Sequence, residues 1–490
     1  LSNQSFFCTS IPQAGIYCMD MKALYSFKEN HMQYLESLLS RINSYFWDGP
    51  MLIILSLFHL YFTVHTRCVQ RKLLKGIRYS VTGMITDSEK IKTETKTVQK
   101  NSSPKNESTT PTKKVSGMMA LTTTLAATLG TGNIIGVSSA IYLGGPGALF
   151  WCFLTGVFGM ATSYAECFLS ILHHRKNADG SYCGGPMVVL YDRLNKKWLS
   201  RIYAGAVVFA ACCMSCSTQS RAFADAAVSF GLPRIPVGIG LALLVGLVIV
   251  GGAGRIHKFC IRLVPVMGGL FLFCCALILG KNITYLPGAI GLMLRSAFSA
   301  KAVTVGTLSG AFMGALRYGV TRGLFTNEAG LGTAAIAAAD AETPNPQTQA
   351  LISMTATFWD TVVICALTGL AILTTALAAP GLMEGFSMNE LTTAAFLHLS
   401  VAGPPLLNLC LMAFAFATLT GWSYFGEKAT IFLIGERGIF CYKTFYIVMI
   451  FLGTVLSMSF IWELTDFANL FLAIPNLFAL FLLRRDITCK

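Results

Sequence analysis

The sequence predicts an all-α membrane protein of eleven transmembrane helices, one extra helix followed by a five-plus-five inverted-repeat bundle with two broken helices. Three observations point there. Charged residues make up only 12% of the chain against 54% hydrophobic. A soluble domain carries about 25% charged residues, so this chain cannot dress a water-facing surface. Long apolar runs recur along it. Two of those runs are interrupted by glycine-rich polar stretches at matching places.

A membrane helix needs roughly 20 largely apolar residues. One early run lies at 48–66. Ten more follow at 116–142, 147–172, 202–229, 236–252, 260–280, 302–340, 350–379, 404–435, 444–461 and 464–483. The run at 302–340 is too long and too rich in glycine for one straight helix. The expected organisation is an N-terminal extension at 1–47, the extra helix with a basic stretch at 48–85, a linker at 86–115 and a ten-helix core at 116–485. The linker is Ser/Thr/Lys-rich and broken by proline. It cannot bury enough apolar area to fold alone, so disorder is expected there. The chain begins at Leu1 without methionine and is read as incomplete at that end, with no recognisable cleavable signal peptide.

Basic residues orient the spans, because cytoplasmic loops carry the excess of Lys and Arg. Alternating the spans from a cytoplasmic start of the core places 27 of the 37 Lys and Arg inside, 7 outside and 3 within or beside spans. The C-terminus is then cytoplasmic and the N-terminus extracellular. The net charge of +14 reflects this topology and anionic lipid, so nucleic acid is not needed as a partner. Asn282, in a glycan acceptor triplet, falls outside, as does Asn3, whereas Asn101 and Asn106 fall inside. The 16 cysteines mostly sit in apolar runs and lack zinc spacing, so they read as apolar filler.

The first span of each five carries the interruption. In the first it is Gly130-Thr131-Gly132-Asn133, and in the second it runs from Arg322 to Gly332. Broken backbone at membrane depth leaves N–H and C=O groups that lipid cannot satisfy. Freed N–H groups attract a carboxylate and freed C=O groups suit a hard cation. A zwitterionic amino acid with Na⁺ needs both. Transporters place their sites where corresponding helices of two halves are broken. The competing reading is that such glycines only let helices pack closely.

Several stretches carry a family resemblance. Residues 125–147 (LAATLGTGNIIGVSSAIYLGGPG), 159–166 (GMATSYAE), 179–187 (DGSYCGGPM), 322–336 (RGLFTNEAGLGTAAI) and 420–427 (TGWSYFGE) resemble the alanine or glycine:cation symporter family, and 49–73 is similar to its first helix. The match runs in register over roughly 45–485. It implies a leucine-transporter-like fold, a plasma-membrane location and Na⁺-driven uptake of alanine or glycine by alternating access, with H⁺ in some relatives.

The candidate substrate residues are Thr131, Gly132, Asn133, Gln219, Gly323, Thr326, Asn327, Gly330 and Trp422. The candidate cation ligands are Ala126, Thr128, Leu129, Asn133, Thr418 and Thr420. The N–H groups of 131–133 would hold the carboxylate, and the Asn133 oxygen would either ligate a cation or cap the helix. The resemblance implies that Gln219 contacts substrate. The hydroxyls of Thr418 and Thr420 would complete an oxygen cage with the Ala126 and Leu129 carbonyls, since Na⁺ prefers oxygen. Trp422 would wall off all but a small side chain. Glu328 is expected to cap a half-helix or to answer Arg322, and Asp340 and Asp360 are further acids for proton coupling. The family pattern at 219–221 looks like Gln-x-Asn, and here Arg221 replaces the Asn. An ion pair with Asp225, four residues on, is expected, with an altered site as the alternative.

A membrane sensor that binds an amino acid without moving it is the rival function. A channel lacks a ring of pore-lining charge. An enzyme would need a nucleophile–base pair or metal cluster. His173 and His174, beside Arg175 and Lys176, read instead as an interfacial basic patch.

Overall fold

The computed structural model describes residues 33–82, 116–176, 182–298, 310–341 and 345–489. The expected linker at 86–115 and Asn3 lie outside the described residues. The described residues are helical almost throughout. We label α1 Gln33–Trp47, α2 Pro50–His65, α3 Gly117–Thr128, α4 Ile135–Gly144, α5 Gly147–Leu172, α6 Lys197–Val228, α7 Arg234–Ile249 and α8 Ala253–Lys281. There follow α9 Leu286–Ala297, α10 Gly310–Asn327, α11 Thr333–Ala339, α12 Pro346–Ala378, α13 Leu391–Leu399, α14 Gly403–Ile434, α15 Ile439–Gly453 and α16 Met458–Leu482. A two-residue hairpin, Arg175–Lys176 against Tyr182–Cys183, follows the C-terminal end of α5.

Among the described residues six helices are long and apolar enough to cross a membrane: α5, α6, α8, α12, α14 and α16. They coincide with six of the eleven expected spans. The other five differ for identifiable reasons. Two are broken, 116–142 into α3 and α4 and 302–340 into α10 and α11. α7 and α15 are shorter, at 16 and 15 residues. α2 has 16 residues and meets α1 at a bend of 43°. Helices α9 and α13 fall between the expected spans.

The part of the expected N-terminal extension that is described is not loosely attached. Asn43 donates to the Glu463 backbone carbonyl at 2.8 Å and to its carboxylate at 2.6 Å, and Trp47 donates to the Asp466 carbonyl at 3.0 Å. These bonds fasten α1 to the start of α16. Farther along, buried His59 of α2 meets the Thr162 hydroxyl of α5 at 2.7 Å.

Small residues let the core helices approach closely. A methyl on Gly421 of α14 would lie 2.7 Å from the Ala127 nitrogen, so α14 rests on the end of α3. A methyl on Gly323 of α10 would lie 2.1 Å from the Thr155 hydroxyl of α5. Charges sit at the helix ends. Arg221 reaches Asp225 at 3.0 Å and the Leu456 carbonyl at 2.7 Å, and Arg234 meets the same Asp225 at 2.7 Å. Asp340 is paired with Lys428 at 2.7 Å and bonded by the Tyr424 hydroxyl. At the same end His173 lies 3.7 Å from Asp486, and the His174 and Tyr182 rings lie 4.4 Å apart at a tilt of 35°.

Asn282 departs from the sequence expectation. It is buried, donates to the Thr375 hydroxyl at 3.2 Å, and its oxygen lies 3.1 Å from the His398 ring nitrogen. A glycan acceptor must be exposed, and this amide is engaged at both ends. With Asn3 replaced by Gln to remove the other outward acceptor triplet, glycosidase treatment of protein made in a glycosylating host should therefore leave gel mobility unchanged. Asn282→Ala should lower stability by about 1–3 kcal/mol, the cost of leaving a buried partner unsatisfied, read as a lower thermal midpoint in detergent.

Candidate substrate and ion site

The first break follows from the residues at 129–134. α3 closes with the Leu129 N–H on the Leu125 carbonyl at 2.8 Å, and the chain then turns through one short 3-10 turn, Thr131–Asn133. The freed groups find side chains. Gly130 N–H donates to Asn133 Oδ1 at 3.0 Å. Thr131 N–H donates to Gln219 Oε1 at 3.2 Å, and the Thr418 hydroxyl donates to the Leu129 carbonyl at 3.3 Å. Gln219 comes from α6 and Thr418 from α14, so two other helices complete the backbone of the first.

The second break is a left-handed turn. Glu328, Gly330 and Gly332 have φ of 54°, 102° and 78°. Glycine tolerates such angles, whereas a glutamate there is strained and must be held. The holding comes from behind. Gly330 N–H donates to Glu166 Oε1 at 2.7 Å, and Asn476 Nδ2 donates to the Gly330 carbonyl at 2.9 Å and to Glu166 Oε1 at 2.6 Å. The Tyr203 hydroxyl donates to the Leu331 carbonyl at 2.8 Å.

The two breaks touch. A methyl on Gly132 would lie 2.7 Å from Thr326 Cγ2 and 2.9 Å from the Phe325 ring. Beside this contact is a small cavity. Ala127, Thr128, Gly130 and Gly132 line it from the first broken helix, and Phe325 and Glu328 from the second. Met214, Ser215 and Gln219 of α6 and Thr418 and Trp422 of α14 complete the wall. The buried Trp422 ring donates through Nε1–H to Glu328 Oε1 at 3.0 Å, and the Thr333 hydroxyl bonds Oε2.

Of the residues singled out from sequence, Thr128, Gly132, Gln219, Thr418 and Trp422 line this cavity. Thr131 and Leu129 enter through backbone groups bonded to Gln219 and Thr418, and Ala126 lies against Gly421. Others are placed differently. The Asn133 oxygen caps Gly130, and its amide donates to Asp360 Oδ1 at 2.7 Å and to the Asp360 carbonyl at 3.1 Å. Thr326 donates to the Gly323 carbonyl at 2.8 Å and lies 3.3 Å from the Thr361 hydroxyl. Asn327 caps Ala329 N–H at 2.9 Å. Gly323 packs on α5. Gly330 faces Leu55 of α2, whose Cδ1 is 2.7 Å from where a methyl would stand. The Thr420 hydroxyl bonds the Phe416 carbonyl of its own helix at 2.9 Å, and Thr128 likewise bonds Thr124 at 3.1 Å. Threonine in an apolar helix satisfies itself this way, which uses the Thr420 proton within its own helix and leaves the oxygen lone pairs. Arg322 is answered by Asp466 at 3.5 Å and by the Trp462 ring at 3.9 Å, leaving Glu328 to Trp422 and Thr333.

Sequence reasoning missed Glu166, Asn476, Ser215 and Phe325. Glu166 carried the clearest signal, an acid within the apolar run of α5, where a carboxylate is expensive and calls for a partner. Asp360 gains a defined place. Thr361 donates to its Oδ2 at 2.7 Å, so it joins Asn133 of the first break to the Thr361–Thr326 contact beside the second.

An integral membrane protein with two unwound helices meeting over a small shared cavity belongs by class with transporters. The profile of the sodium:alanine symporter family matches residues 32–489, and the chain belongs to that family. The sodium/alanine symporter AgcS of Methanococcus maripaludis is 38% identical over 453 residues, covering 91% of this chain and 94% of that one. A probable sodium/glutamine symporter, GlnT of Bacillus subtilis, is 32% identical over 460 residues, covering 92% and 89%. A solved Na⁺-coupled sialic acid symporter superposes with a TM-score of 0.49 at 12% identity, covering 86% of this chain and 82% of that one. Membership of that family makes cation-coupled amino-acid symport the activity, with Na⁺ as the co-transported ion.

Gly130 tests the cavity. Its backbone is extended, so alanine adds no strain, but the added methyl would lie 2.7 Å from the Thr418 hydroxyl and 3.2 Å from Gln219 Nε2. Gly130→Ala should lower amino-acid uptake about tenfold or more, the effect of roughly 1.4 kcal/mol at the site, while surface abundance stays normal.

Proposed function

We propose that this chain is a secondary active symporter of the plasma membrane that couples Na⁺ influx to uptake of alanine or glycine by alternating access. The observation that carries it is the cavity shared by both breaks, small and bounded by Trp422 and Phe325. A methyl or hydrogen side chain suits such walls and a long one does not. The substrate carboxylate is assigned to the first break. There Thr131 N–H is already held by a neutral acceptor, Gln219 Oε1, which an anionic oxygen would better. The Ser215 hydroxyl lines the cavity with no partner among the described residues and supplies another donor.

For Na⁺ we assign the Thr418 hydroxyl with the Leu129 and Ala126 carbonyls at the end of α3, supported by the 3.3 Å approach of Thr418 to Leu129. A half-helix end presents carbonyl oxygen to a cation. Asp360 is the group through which a cation or proton would bear on both breaks, since it bonds Asn133 directly and Thr361 on the side of Thr326. The fold is assigned as leucine-transporter-like, with an inverted repeat after the extra helix. Its N-terminus is placed outside and its C-terminus in the cytoplasm by the basic-residue count.

The test is uptake of radiolabelled alanine and glycine into proteoliposomes. An inward Na⁺ gradient should drive accumulation that collapses when Na⁺ is equilibrated. No uptake under Na⁺, H⁺ or Li⁺ gradients overturns the proposal. Gln219→Ala should abolish uptake without loss of folded protein, and normal transport by that variant would remove Gln219 from the site.

A further inference from the structure

Glu328 is the residue of the cavity that the assignments above leave without a task. We infer that its carboxylate is the pole that receives the substrate's ammonium group and so selects α-amino acids against other small carboxylates. The inference rests on the proposed symport of a small amino acid.

Glu328 lines the cavity and is 3% exposed. Its two oxygens are each fixed by one donor, Trp422 Nε1–H on Oε1 and the Thr333 hydroxyl on Oε2. A carboxylate oxygen has room for more than one donor, so acceptor capacity remains. Among the described residues no Lys or Arg forms an ion pair with it. Arg322, six positions back in α10, is spent on Asp466 and Trp462. An acid held in place inside a membrane protein without a cation is expensive, and a guest cation relieves that expense when it binds.

The remaining walls say which cation. The same cavity carries donors: the Gln219 amide, beside Gly130, and the Ser215 hydroxyl, with Thr131 N–H bonded to Gln219 just behind the wall. Donors and a carboxylate around one small space match a molecule with an anion and an ammonium two bonds apart. The neighbouring acids are otherwise engaged, Glu166 by Gly330 and Asn476 and Asp360 by Asn133 and Thr361. Oxygen for a coupling ion exists separately at Thr418 and Leu129. The turn that aims Glu328 inward is itself built, since its φ of 54° is held by the bonds at Trp422 and Thr333. In this arrangement the indole is both wall and positioning group, turning the carboxylate toward the substrate.

The experiment compares ligands that lack one charge. In the unaltered protein reconstituted in proteoliposomes, labelled alanine uptake is competed by alanine, by lactate and propionate, which have no ammonium, and by ethylamine, which has no carboxylate. Lactate and propionate should compete about 100-fold more weakly than alanine, the factor expected for losing a hydrogen-bonded charge contact, and ethylamine should compete measurably. Lactate competing as well as alanine overturns the inference. Glu328→Gln, purified and monodisperse, should bind alanine about 100-fold more weakly at saturating Na⁺ while its apparent Na⁺ affinity, read from Trp fluorescence without amino acid, stays within threefold. Unchanged alanine affinity, or loss confined to the Na⁺ titration, also overturns it. If Glu328→Gln does not fold, the competition series in the unaltered protein decides alone. Failure of the unaltered protein to accumulate alanine or glycine under any cation gradient is a different result, and refutes the symport proposal instead.

Discussion

The constraint on which this structure depends is that peptide groups released from a helix inside a membrane must be met by protein or by cargo. Both unwound stretches obey it, but unequally. The second is bound from behind by Glu166, Asn476 and Tyr203, and its strained turn is fixed through Glu328. The first relies on Gln219, Asn133 and Thr418, and two of those three also line the cavity. Backbone held by residues that line the cavity can exchange partners when cargo arrives. Backbone held from the rear keeps its shape.

The helices around the breaks are arranged to provide those partners. α6 delivers Gln219 and Ser215 to one wall, α14 delivers Thr418 and Trp422 to another, and the glycine at 421 lets α14 come close enough for Thr418 to reach Leu129. The longest helices thus act as a frame, and the short, interrupted ones carry the chemistry. Asp360 on α12 links the two broken helices on their far side through Asn133 and through Thr361 beside Thr326. An ion at this acid would therefore be felt by both.

Much of this was legible in the sequence, and for definite reasons. Charge scarcity and apolar runs locate α5, α6, α8, α12, α14 and α16, because length and composition are what a bilayer demands. The glycine-rich stretches locate the breaks. Side-chain direction was not legible. Thr418 and Thr420 differ by two positions, and a helix turns them to different surroundings, one to Leu129 and the other to its own backbone. Gly330 and Gly132 look alike in the sequence, yet one faces α2 and the other the opposing break. Glu166 and Asn476 escaped notice because they lie 310 residues apart and are joined to each other and to Gly330 only in the fold. Asn282 matched an acceptor triplet, a local pattern that carries no information about burial.

Position 221 shows how a charge on a membrane helix is accommodated close to the cavity. Its guanidinium turns away along α6 to Asp225 and to the carbonyl of Leu456, within a rim cluster that Arg234 completes. The charge is absorbed there, two residues and about half a helical turn along α6 from the glutamine that lines the chamber. An arginine so close to the cavity wall is thereby spent on fastening α6 to α7 and to the segment that leads into α16.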